Sequence, residues 1–475
     1  MSAYSNLYSL QDQLGTDRTT CVEIVEYYLE NIEASKHLNI YVEIFANEAL
    51  ERAKFLDKKL ADKSTKMGPL YGLVVSIKDV LCYKDHVVTA GSKMLEGFNA
   101  TYSATAIERL IAGDAIIIGR VNCDEFAMGS SNENSYYGPT INGIGDKRIP
   151  GGSSGASAVS VQMDTCMIAI GSDTGGSVRQ PAGFCGVIGF KPTYGRISRY
   201  GLIAYGSSFD QIGIIGKNIR DVASTLHTIS GPDQFDSTVT SMPVPDYVSD
   251  LKSERQNLRI GIFENVLNNT SVSPDIKTAS KNFIKLLERR GHQVDEIPFD
   301  LLEYAVPAYY VLTTAEASSN LARYDGIRFG YKSPNAISIH DVYTHSRTEG
   351  FGEEVKRRIM LGTFVLSSGY YEAYYGKAQK VRKLLTDRIN GIFEQYDLIV
   401  LPVAPSTAWE IGSKSEDPIQ VYLSDIFTVI ANLTGIPGIS IPVGVDFEGM
   451  PIGMQVMGPK FSETLLLSTT YNLLK

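Results

Sequence analysis

Long hydrophobic runs are missing from this sequence of 475 residues. No apolar segment approaches the roughly 18 residues that a membrane-spanning helix needs, so such a helix is excluded. The N-terminus, MSAYSNLYSLQDQLG, has neither the basic nor the apolar region of a secretory signal. We therefore expect a cytoplasmic protein that has no membrane partner.

An excess of positive charge is missing as well. Lys and Arg number 44 against 53 Asp and Glu, which leaves a net charge of -9. Because an acidic chain is repelled by phosphate, the protein is not expected to bind nucleic acid over a broad face of its own. Residues 321–395 differ, since twelve Lys and Arg oppose eight Asp and Glu there, a net charge of +4. Their seven tyrosines fit either a solvated helix pair or a lid or partner surface that handles an anion.

Cysteine and histidine are scarce and scattered. No C-x-x-C motif joins the five cysteines, and the six histidines do not complete a zinc site. The sequence shows no Cys–His pair of the kind that activates a nucleophilic thiol. The pattern predicts buried, reduced thiols at Cys21, Cys82, Cys123, Cys166 and Cys185.

Short apolar runs rich in Val and Ile alternate with helical stretches. Such runs occupy residues 71–80, 115–121 and 165–171, and they return after residue 258 in segments such as LRIGIFENV, DLIVLPVAP and GISIPVGV. Buried strands that alternate with helices are typical of an α/β protein. We therefore predict a large mixed, mostly parallel central sheet covered by helices on both faces.

Two further segments are predicted to be helical. Within residues 4–62, CVEIVEYYLENIEAS and YVEIFANEALERAKFLDKKLAD place apolar residues at intervals of three and four, which predicts two helices. Residues 301–395 also have a mostly helical pattern, and strands return after them. These features predict a single domain over residues 1–475, with a helical N-terminal segment at 1–62 and a helical insertion at 301–395.

Two loops rich in Gly and Ser indicate where the chemistry lies. One is PGGSSGAS at 150–157; the other is GSDTGGSVRQPAG at 171–183, which follows an apolar run and precedes a helix start. Small residues in the second loop leave backbone N–H groups unshielded, a site for a bound phosphate or a developing oxyanion. The donors would be the N–H groups of Thr174, Gly175, Gly176 and Ser177. The Ser177 hydroxyl ends this loop, where a nucleophile would lie.

Two other interpretations of these loops fit the sequence poorly. A phosphate-binding loop ends in Gly-Lys-Ser/Thr, and no such triplet occurs. Residues 151–155 satisfy G-x-S-x-G, the nucleophile elbow of α/β-hydrolases, but no downstream histidine lies in an obvious catalytic loop. If histidine is not the base, another group must accept the serine proton.

Lys78 is the candidate for that base. It closes the apolar run Leu73–Ile77, a position from which a lysine commonly extends to solvent. A buried lysine, however, has a lowered pKa and can act as a neutral base near pH 7. One lysine, two Gly/Ser loops and no catalytic histidine together suggest a Ser–Ser–Lys hydrolase.

Three motifs resemble the amidase signature family in their order and spacing. They are SIKDV at 76–80, PGGSSGAS at 150–157 and GSDTGGSVRQPAGFCGVIGFKPTYGRIS at 171–198. The resemblance implies the fold of that family and a Ser–cisSer–Lys amidase. One departure is Ala156, which stands where the family usually has glycine and adds only a methyl group.

The resemblance also implies a role for each residue of the site. Ser177 would be the nucleophile and Lys78 the general base. Ser153 would relay the proton between them and would follow a cis Gly152–Ser153 peptide bond. The N–H groups from Thr174 to Ser177 would form the oxyanion hole.

Further stretches are similar to the glutaminase subunits of bacterial tRNA-dependent amidotransferases. They cover residues 317–333, 346–382 and 433–444. In those subunits an arginine holds the α-carboxylate of glutamine and an aspartate holds its α-ammonium group. The matching positions are Arg358 and Asp425, and Tyr309 matches a tyrosine that lines the same pocket. A planar guanidinium suits bidentate recognition of a carboxylate.

This similarity implies a glutaminase that forms an acyl-enzyme on Ser177 and passes ammonia to a partner. In such complexes the B subunit uses ATP and Mg²⁺ to amidate Glu-tRNA(Gln) or Asp-tRNA(Asn) and makes the main contacts with tRNA, while the small C subunit wraps around the glutaminase. No cofactor or metal is expected on this chain itself. The alternatives are a stand-alone amidase acting on small or acyl amides and a catalytically silent interaction protein of the same fold. The second is disfavoured because Lys78, Ser153 and Ser177 are all present.

Overall fold

An eleven-stranded mixed sheet lies at the centre of the protein. The structure is a computed structural model that describes residues 4, 6–62, 64–253, 255–413 and 418–475. In chain order the strands are β1 (Tyr41–Ile44), β2 (Val74–Lys78), β3 (Ile116–Val121), β4 (Ile168–Asp173), β5 (Ile188–Lys191), β6 (Gln211–Gly216), β7 (Arg259–Phe263), β8 (Gln293–Ile297), β9 (Leu398–Pro402), β10 (Gly438–Val445) and β11 (Pro451–Met457).

Parallel and antiparallel pairs are both present in this sheet, whose order is β1-β3-β2-β4-β6-β5-β10-β11-β9-β7-β8. Parallel pairing joins β3 to β2, β2 to β4, β9 to β7 and β7 to β8, and the other six neighbouring pairs are antiparallel. The predicted α/β class with a large mixed sheet is therefore confirmed, but the prediction that parallel pairs predominate is wrong. The reason is that β6, β5, β10 and β11 fill the middle of the sheet with antiparallel neighbours.

Helices connect and cover the strands. They are α1 (Leu7–Gly15), α2 (Cys21–Ala34), α3 (Ala46–Ala61), α4 (Thr105–Ala112), α5 (Gly155–Gln162), α6 (Arg179–Phe184), α7 (Ile219–Ile229), α8 (Tyr247–Asp250), α9 (Glu264–Asn268), α10 (Pro274–Arg289), α11 (Leu302–Asn320), α12 (Ile339–Gly350), α13 (Glu353–Val365), α14 (Lys377–Phe393), α15 (Pro418–Leu423), α16 (Val429–Thr434) and α17 (Glu463–Leu473). Helices α11 to α14 lie between β8 and β9 in sequence; that they form an insertion into a single domain stays a prediction. None of the helices in the described ranges is both long enough and apolar enough to cross a membrane.

The N-terminal segment departs from the two helices that were predicted. The first of them is confirmed as α2, which begins at a capping box between Thr20 and Glu23. The second begins at Ala46 rather than Tyr41, because Tyr41–Ile44 forms β1 against β3. The Val and Ile side chains of Tyr41–Ile44 favour extended backbone. The open edge of β3 also offers hydrogen-bonding groups, which a helix at Tyr41–Ile44 would leave unpaired.

The carboxyl ends of β2 and β4 meet at one edge of the sheet. The two strands are parallel neighbours, with Val75 opposite Ile168 and Ile77 opposite Ile170. Both strands are buried along their whole length. Since β2 ends at Lys78, the lysine and the loop that follows β4 lie at the same edge.

The five cysteines are all buried and free, as predicted. Burial raises the pKa of the Cys82 thiol to about 11. Because the thiolate is the reactive form, these side chains are packing residues rather than nucleophiles.

Candidate active site

Lys78 lies at the end of β2 with its side chain completely buried. Its Nζ donates hydrogen bonds to Ser153 Oγ at 2.7 Å, Ser154 Oγ at 3.0 Å and Ser172 Oγ at 3.0 Å. Burial lowers the pKa of Lys78 to about 8, although nearby acidic groups act in the opposite direction. Three neutral hydroxyls therefore surround an amine that loses its proton far more readily than an exposed lysine.

Ser153 lies in the first Gly/Ser loop, directly after the predicted cis peptide bond. Gly152–Ser153 is indeed cis. A side chain at Gly152 would collide with Asp124, since a Cβ there would lie 2.1 Å from Asp124 Oδ2. The next residue, Ser154, donates to the carbonyl oxygen of Ser172, which ties this loop to the end of β4. The loop thus holds two hydroxyls against the lysine.

Ser177 is 7% exposed and lies beside the same loop. The Ser154 N–H donates to the Ser177 carbonyl oxygen at 3.1 Å, which joins the two Gly/Ser loops through their backbones. In the described part of the chain the Ser177 hydroxyl has no hydrogen-bond partner. The predicted link from Ser177 to Ser153 is therefore open in this conformation, and such links commonly close only when substrate binds.

The N–H groups of the Ser177 loop are not all available, contrary to the prediction. The Gly176 N–H donates to Asp173 Oδ1 at 2.9 Å, so this donor is occupied. The N–H groups of Val178 and Arg179 donate to Asp173 Oδ2. The Asp173 carboxylate folds back over its own loop and occupies the helix start, where an anion was expected.

Asp173 is the centre of a buried polar network. Arg179 donates to its carboxylate from Nε at 3.1 Å and from Nη2 at 3.0 Å, and Asn432 Nδ2 donates to Oδ1 at 3.0 Å. Burial alone would raise the pKa of Asp173, but the Arg179 guanidinium and the hydrogen bonds lower it to about 2. This network fixes the backbone from which Gly176 and Ser177 project.

We expect Asp173→Ala to lower the free energy of unfolding by about 3–5 kcal/mol, because the buried Arg179 guanidinium would lose its carboxylate. Urea unfolding followed by circular dichroism measures this change. Asp295→Ala is the control, because Asp295 faces Arg259 at 3.7 Å on the surface and such pairs contribute less than about 1 kcal/mol. Equal effects of the two substitutions would contradict a structural role for the network.

Arg358 projects from α13 into the interior and is 3% exposed. Its Nε donates to Glu354 Oε1 at 2.8 Å and its Nη1 to Tyr205 Oη at 2.9 Å. The rings of Tyr205, Tyr310 and Tyr422 lie 5.2–5.5 Å from its guanidinium carbon. The side chain is therefore held in one orientation within an aromatic cage.

Asp425 is linked to this cage through Tyr310. Its Oδ2 accepts hydrogen bonds from Ser130 Oγ at 2.7 Å and from Tyr310 Oη at 3.1 Å. Burial raises the pKa of Asp425 to about 7, against the opposing effect of these hydrogen bonds and of Arg358. The predicted pair of charges, Arg358 and Asp425, thus shares one tyrosine as a neighbour.

The Ser177 loop contacts the same region. Tyr309 fills the space above Gly175, where a Cβ would lie 2.5 Å from the tyrosine ring. Thr428 Oγ1 donates to the Gly175 carbonyl oxygen at 2.7 Å and lies three residues after Asp425. The structure therefore connects the predicted residues to the Ser177 loop, directly or through neighbouring side chains. All of them are buried, so the site is shielded from water.

Several neighbours of these residues were missed by the sequence prediction. Ser154 and Ser172 contact Lys78, Tyr205 and Glu354 contact Arg358, and Ser130 and Tyr310 contact Asp425. Ser154 and Ser172 lie within the two Gly/Ser loops, and Tyr310 directly follows Tyr309, so the sequence did carry a signal for these three residues. Ser130 and Tyr205 carry no local signal, because their role depends on long-range contacts.

The fold and this site place the protein in a family: the chain belongs to the amidase family, whose model matches residues 23–467. Among curated relatives, the glutamyl-tRNA(Gln) amidotransferase A subunit of Chlorobium phaeobacteroides (strain BS1) is 49% identical over 98% of this chain and 97% of its own length. The corresponding protein of Prosthecochloris aestuarii is 48% identical over 98% of both.

Solved structures are also similar. The glutamyl-tRNA(Gln) amidotransferase A subunit of Thermotoga maritima superimposes with a TM-score of 0.79 at 37% identity, covering 95% of this chain and 91% of its own. A peptide amidase, in complex with a competitive inhibitor, superimposes with a TM-score of 0.85 at 26% identity over 99% and 97% of the two chains. The predicted resemblance to the amidase family is therefore confirmed.

Proposed function

We propose that this chain is the glutaminase subunit of a tRNA-dependent amidotransferase. It hydrolyses glutamine to glutamate and ammonia, and the ammonia passes to a partner that amidates Glu-tRNA(Gln) or Asp-tRNA(Asn). The observation that carries the proposal is the buried pair Arg358 and Asp425, which Tyr310 links to each other and Thr428 connects to the Ser177 loop. Near-full-length identity of 49% to a protein of this kind supports it.

In the proposed reaction Ser177 attacks the side-chain amide of glutamine. Its proton moves through Ser153 to the neutral amine of Lys78, and the Ser177 oxygen bonds to the amide carbon. The carbon–nitrogen bond then breaks, and ammonia leaves with the proton returned along the same relay. A water molecule hydrolyses the acyl-enzyme to give glutamate and the free serine. The buried amine with a pKa of about 8 is suited to this exchange.

The oxyanion formed during these steps needs backbone donors. Within the described ranges, the N–H groups of Gly175 and Ser177 donate to no protein acceptor, whereas that of Gly176 is bonded to Asp173. We therefore assign the oxyanion to the donors at 175 and 177. Donors fixed by the Asp173 network require little rearrangement during the reaction.

The substrate's charged end would meet the aromatic cage. Arg358 would hold the α-carboxylate of glutamine, and Asp425 would hold the α-ammonium group. Burial raises the pKa of Asp425 to about 7, and an arriving ammonium group would favour its charged form. This arrangement would select a free amino acid over a simple amide.

Arg358→Ala is expected to raise the KM for glutamine by about 30-fold or more, which corresponds to about 2 kcal/mol of lost charged hydrogen bonding. Hydrolysis of butyramide, which has no α-carboxylate, should change little. Steady-state ammonia release with both substrates measures the difference. The control is Arg357→Ala on the same helix, since Arg357 is half exposed. A loss of equal size on both substrates would refute the carboxylate role of Arg358.

The remaining parts of the reaction are assigned to partners. The B subunit would bind ATP, Mg²⁺ and tRNA, and the C subunit would wrap around this chain, in the cytoplasm. The test is co-expression with the B and C subunits encoded in the same genome, followed by glutaminase assays with and without misacylated tRNA. Stable co-purification and stimulation by that tRNA are expected. High turnover by the isolated chain and no association would favour a stand-alone amidase.

A further inference from the structure

Glu125 is a buried carboxylate to which the proposed reaction gives no role. Its Oε2 accepts a hydrogen bond from the Gly352 N–H at 2.8 Å, and its Oε1 accepts one from Ser92 Oγ. A side chain at position 352 would collide with Oε2, so glycine lets the backbone approach the carboxylate this closely. Burying a carboxylate costs free energy, which makes the purpose of this contact worth identifying.

The contact fixes the start of α13. Gly352 is the N-cap residue of that helix. In a capping box the N-cap N–H is bonded by the side chain of the third helical residue, but that residue is Val355, which cannot accept a hydrogen bond. Glu125 supplies the missing acceptor from a position 227 residues earlier in the chain.

A second contact fixes the other half of α13. Gly362 lies against the Thr314 carbonyl oxygen on α11 so closely that a side chain there would collide with it. Arg358 lies between these two contacts, together with Glu354, which holds its Nε. The place of the guanidinium therefore depends on both contacts.

Glu125 is also joined to the proton relay through its neighbour in sequence. The Asp124 N–H donates to the Ser153 carbonyl oxygen at 3.3 Å. After Glu125 the backbone turns through Phe126 and Ala127, which have left-handed φ angles of 50° and 58°. Residues other than glycine keep such angles only where their surroundings fix them. A constrained segment thus connects the relay serine to the start of α13.

We propose that Glu125 is a positioning residue, which fixes the start of α13 relative to Ser153 and thereby sets where Arg358 meets the α-carboxylate of the substrate. The proposal rests on the proposed function, which gives Arg358 that role. Glu125 acts through the helix rather than by contact with substrate. Its effect should therefore be confined to substrates that carry an α-carboxylate.

The first test is Glu125→Gln, assayed with glutamine and with butyramide in the chain co-expressed with the B and C subunits. The amide keeps the shape of the side chain but has one acceptor oxygen, so it cannot accept from both Ser92 and Gly352. The KM for glutamine should rise about tenfold, because a displaced binding group loses its alignment with the substrate. Both kcat for glutamine and the hydrolysis of butyramide should stay within about threefold of wild type.

The assays are run at about pH 8.5, because burial raises the pKa of Glu125 to about 7 and the wild-type carboxylate is then charged. The matched control is Asp221→Asn on α7. Asp221 is also a buried carboxylate that accepts a backbone hydrogen bond, from the Leu7 N–H at 3.0 Å, but its partners lie in α1 and α7. This control should leave the KM for glutamine unchanged.

A double-mutant cycle separates positioning from a general loosening of the fold. If Glu125 acts through Arg358, adding Glu125→Gln to Arg358→Ala should change the KM for glutamine by less than about twofold, because the group being positioned is already absent. A general structural effect would instead raise the KM by the same factor in both backgrounds.

Ser92→Ala provides a milder variant in case Glu125→Gln does not fold. It removes the hydroxyl that orients Glu125 Oε1 and leaves the bond to Gly352 in place. The KM for glutamine should rise about threefold, with no change for butyramide and no further rise in the Arg358→Ala background.

Equal losses on glutamine and butyramide, additive effects in the cycle, or an unchanged KM for glutamine in Glu125→Gln would each overturn the positioning role. Failure of the wild-type complex to hydrolyse glutamine would instead contradict the proposed function, before any Glu125 variant is compared.

Discussion

Ser177→Ala is expected to reduce glutamine hydrolysis by about a thousandfold or more, because it removes the hydroxyl that would form the acyl-enzyme. Ser177 lies in the loop that follows β4 and is 7% exposed, and its carbonyl oxygen accepts a hydrogen bond from the Ser154 N–H of the first Gly/Ser loop. Glutamine should still bind, since Arg358 and Asp425 remain. Ammonia release measures glutamine hydrolysis, and calorimetric titration measures glutamine binding.

The matched control for this substitution is Ser157→Ala. Ser157 is another buried serine, on α5, and its hydroxyl has no hydrogen-bond partner in the described part of the chain. Removing that hydroxyl should leave activity and stability nearly unchanged. If Ser177→Ala retained activity within about tenfold of wild type, or if the control lost as much, the assignment of the nucleophile would be refuted.

The core of this site was predictable because its signals are local. Lys78 closes an apolar run, and Ser153 and Ser177 lie in two short loops of small residues, so each is visible within about ten residues of sequence. The cis bond before Ser153 and the roles of Arg358 and Asp425 came from family resemblance rather than from the pattern. Their geometry depends on α13 and on the segment before α16, which the chain brings together only on folding.

Each of the incorrect predictions has a physical explanation. The predicted helix at Tyr41–Ile44 became β1 because β3 offered an edge about 75 residues away in sequence. Strands β5 and β6 were not predicted, since their glycines and their place inside or just after the signature motif hide the strand pattern. Likewise, small residues at 174–177 predicted open N–H groups, but the Asp173 side chain occupies one of them.

Lys78→Met is expected to reduce glutamine hydrolysis at pH 7 by about 10²–10⁴-fold, the usual contribution of a general base. Only the neutral amine can accept the proton. Because burial lowers the pKa of Lys78 to about 8, kcat/KM of the wild type should rise about tenfold per pH unit below that value and level off above it. The variant should lose this slope. Methionine matches the length of the lysine stem and suits a buried position, so the fold should tolerate it.

Lys191→Met separates the role of Lys78 from the general effect of removing a buried lysine. Lys191 is also fully buried, with a pKa that burial lowers to about 7, but its Nζ donates to the Pro192 carbonyl oxygen rather than to a serine. This control should keep the pH dependence centred near 8. If Lys191→Met removed the slope instead, or if Lys78→Met regained activity simply on raising the pH, a different group would be the base. The two lysines differ in their contacts with the serines, so the comparison tests the relay rather than burial.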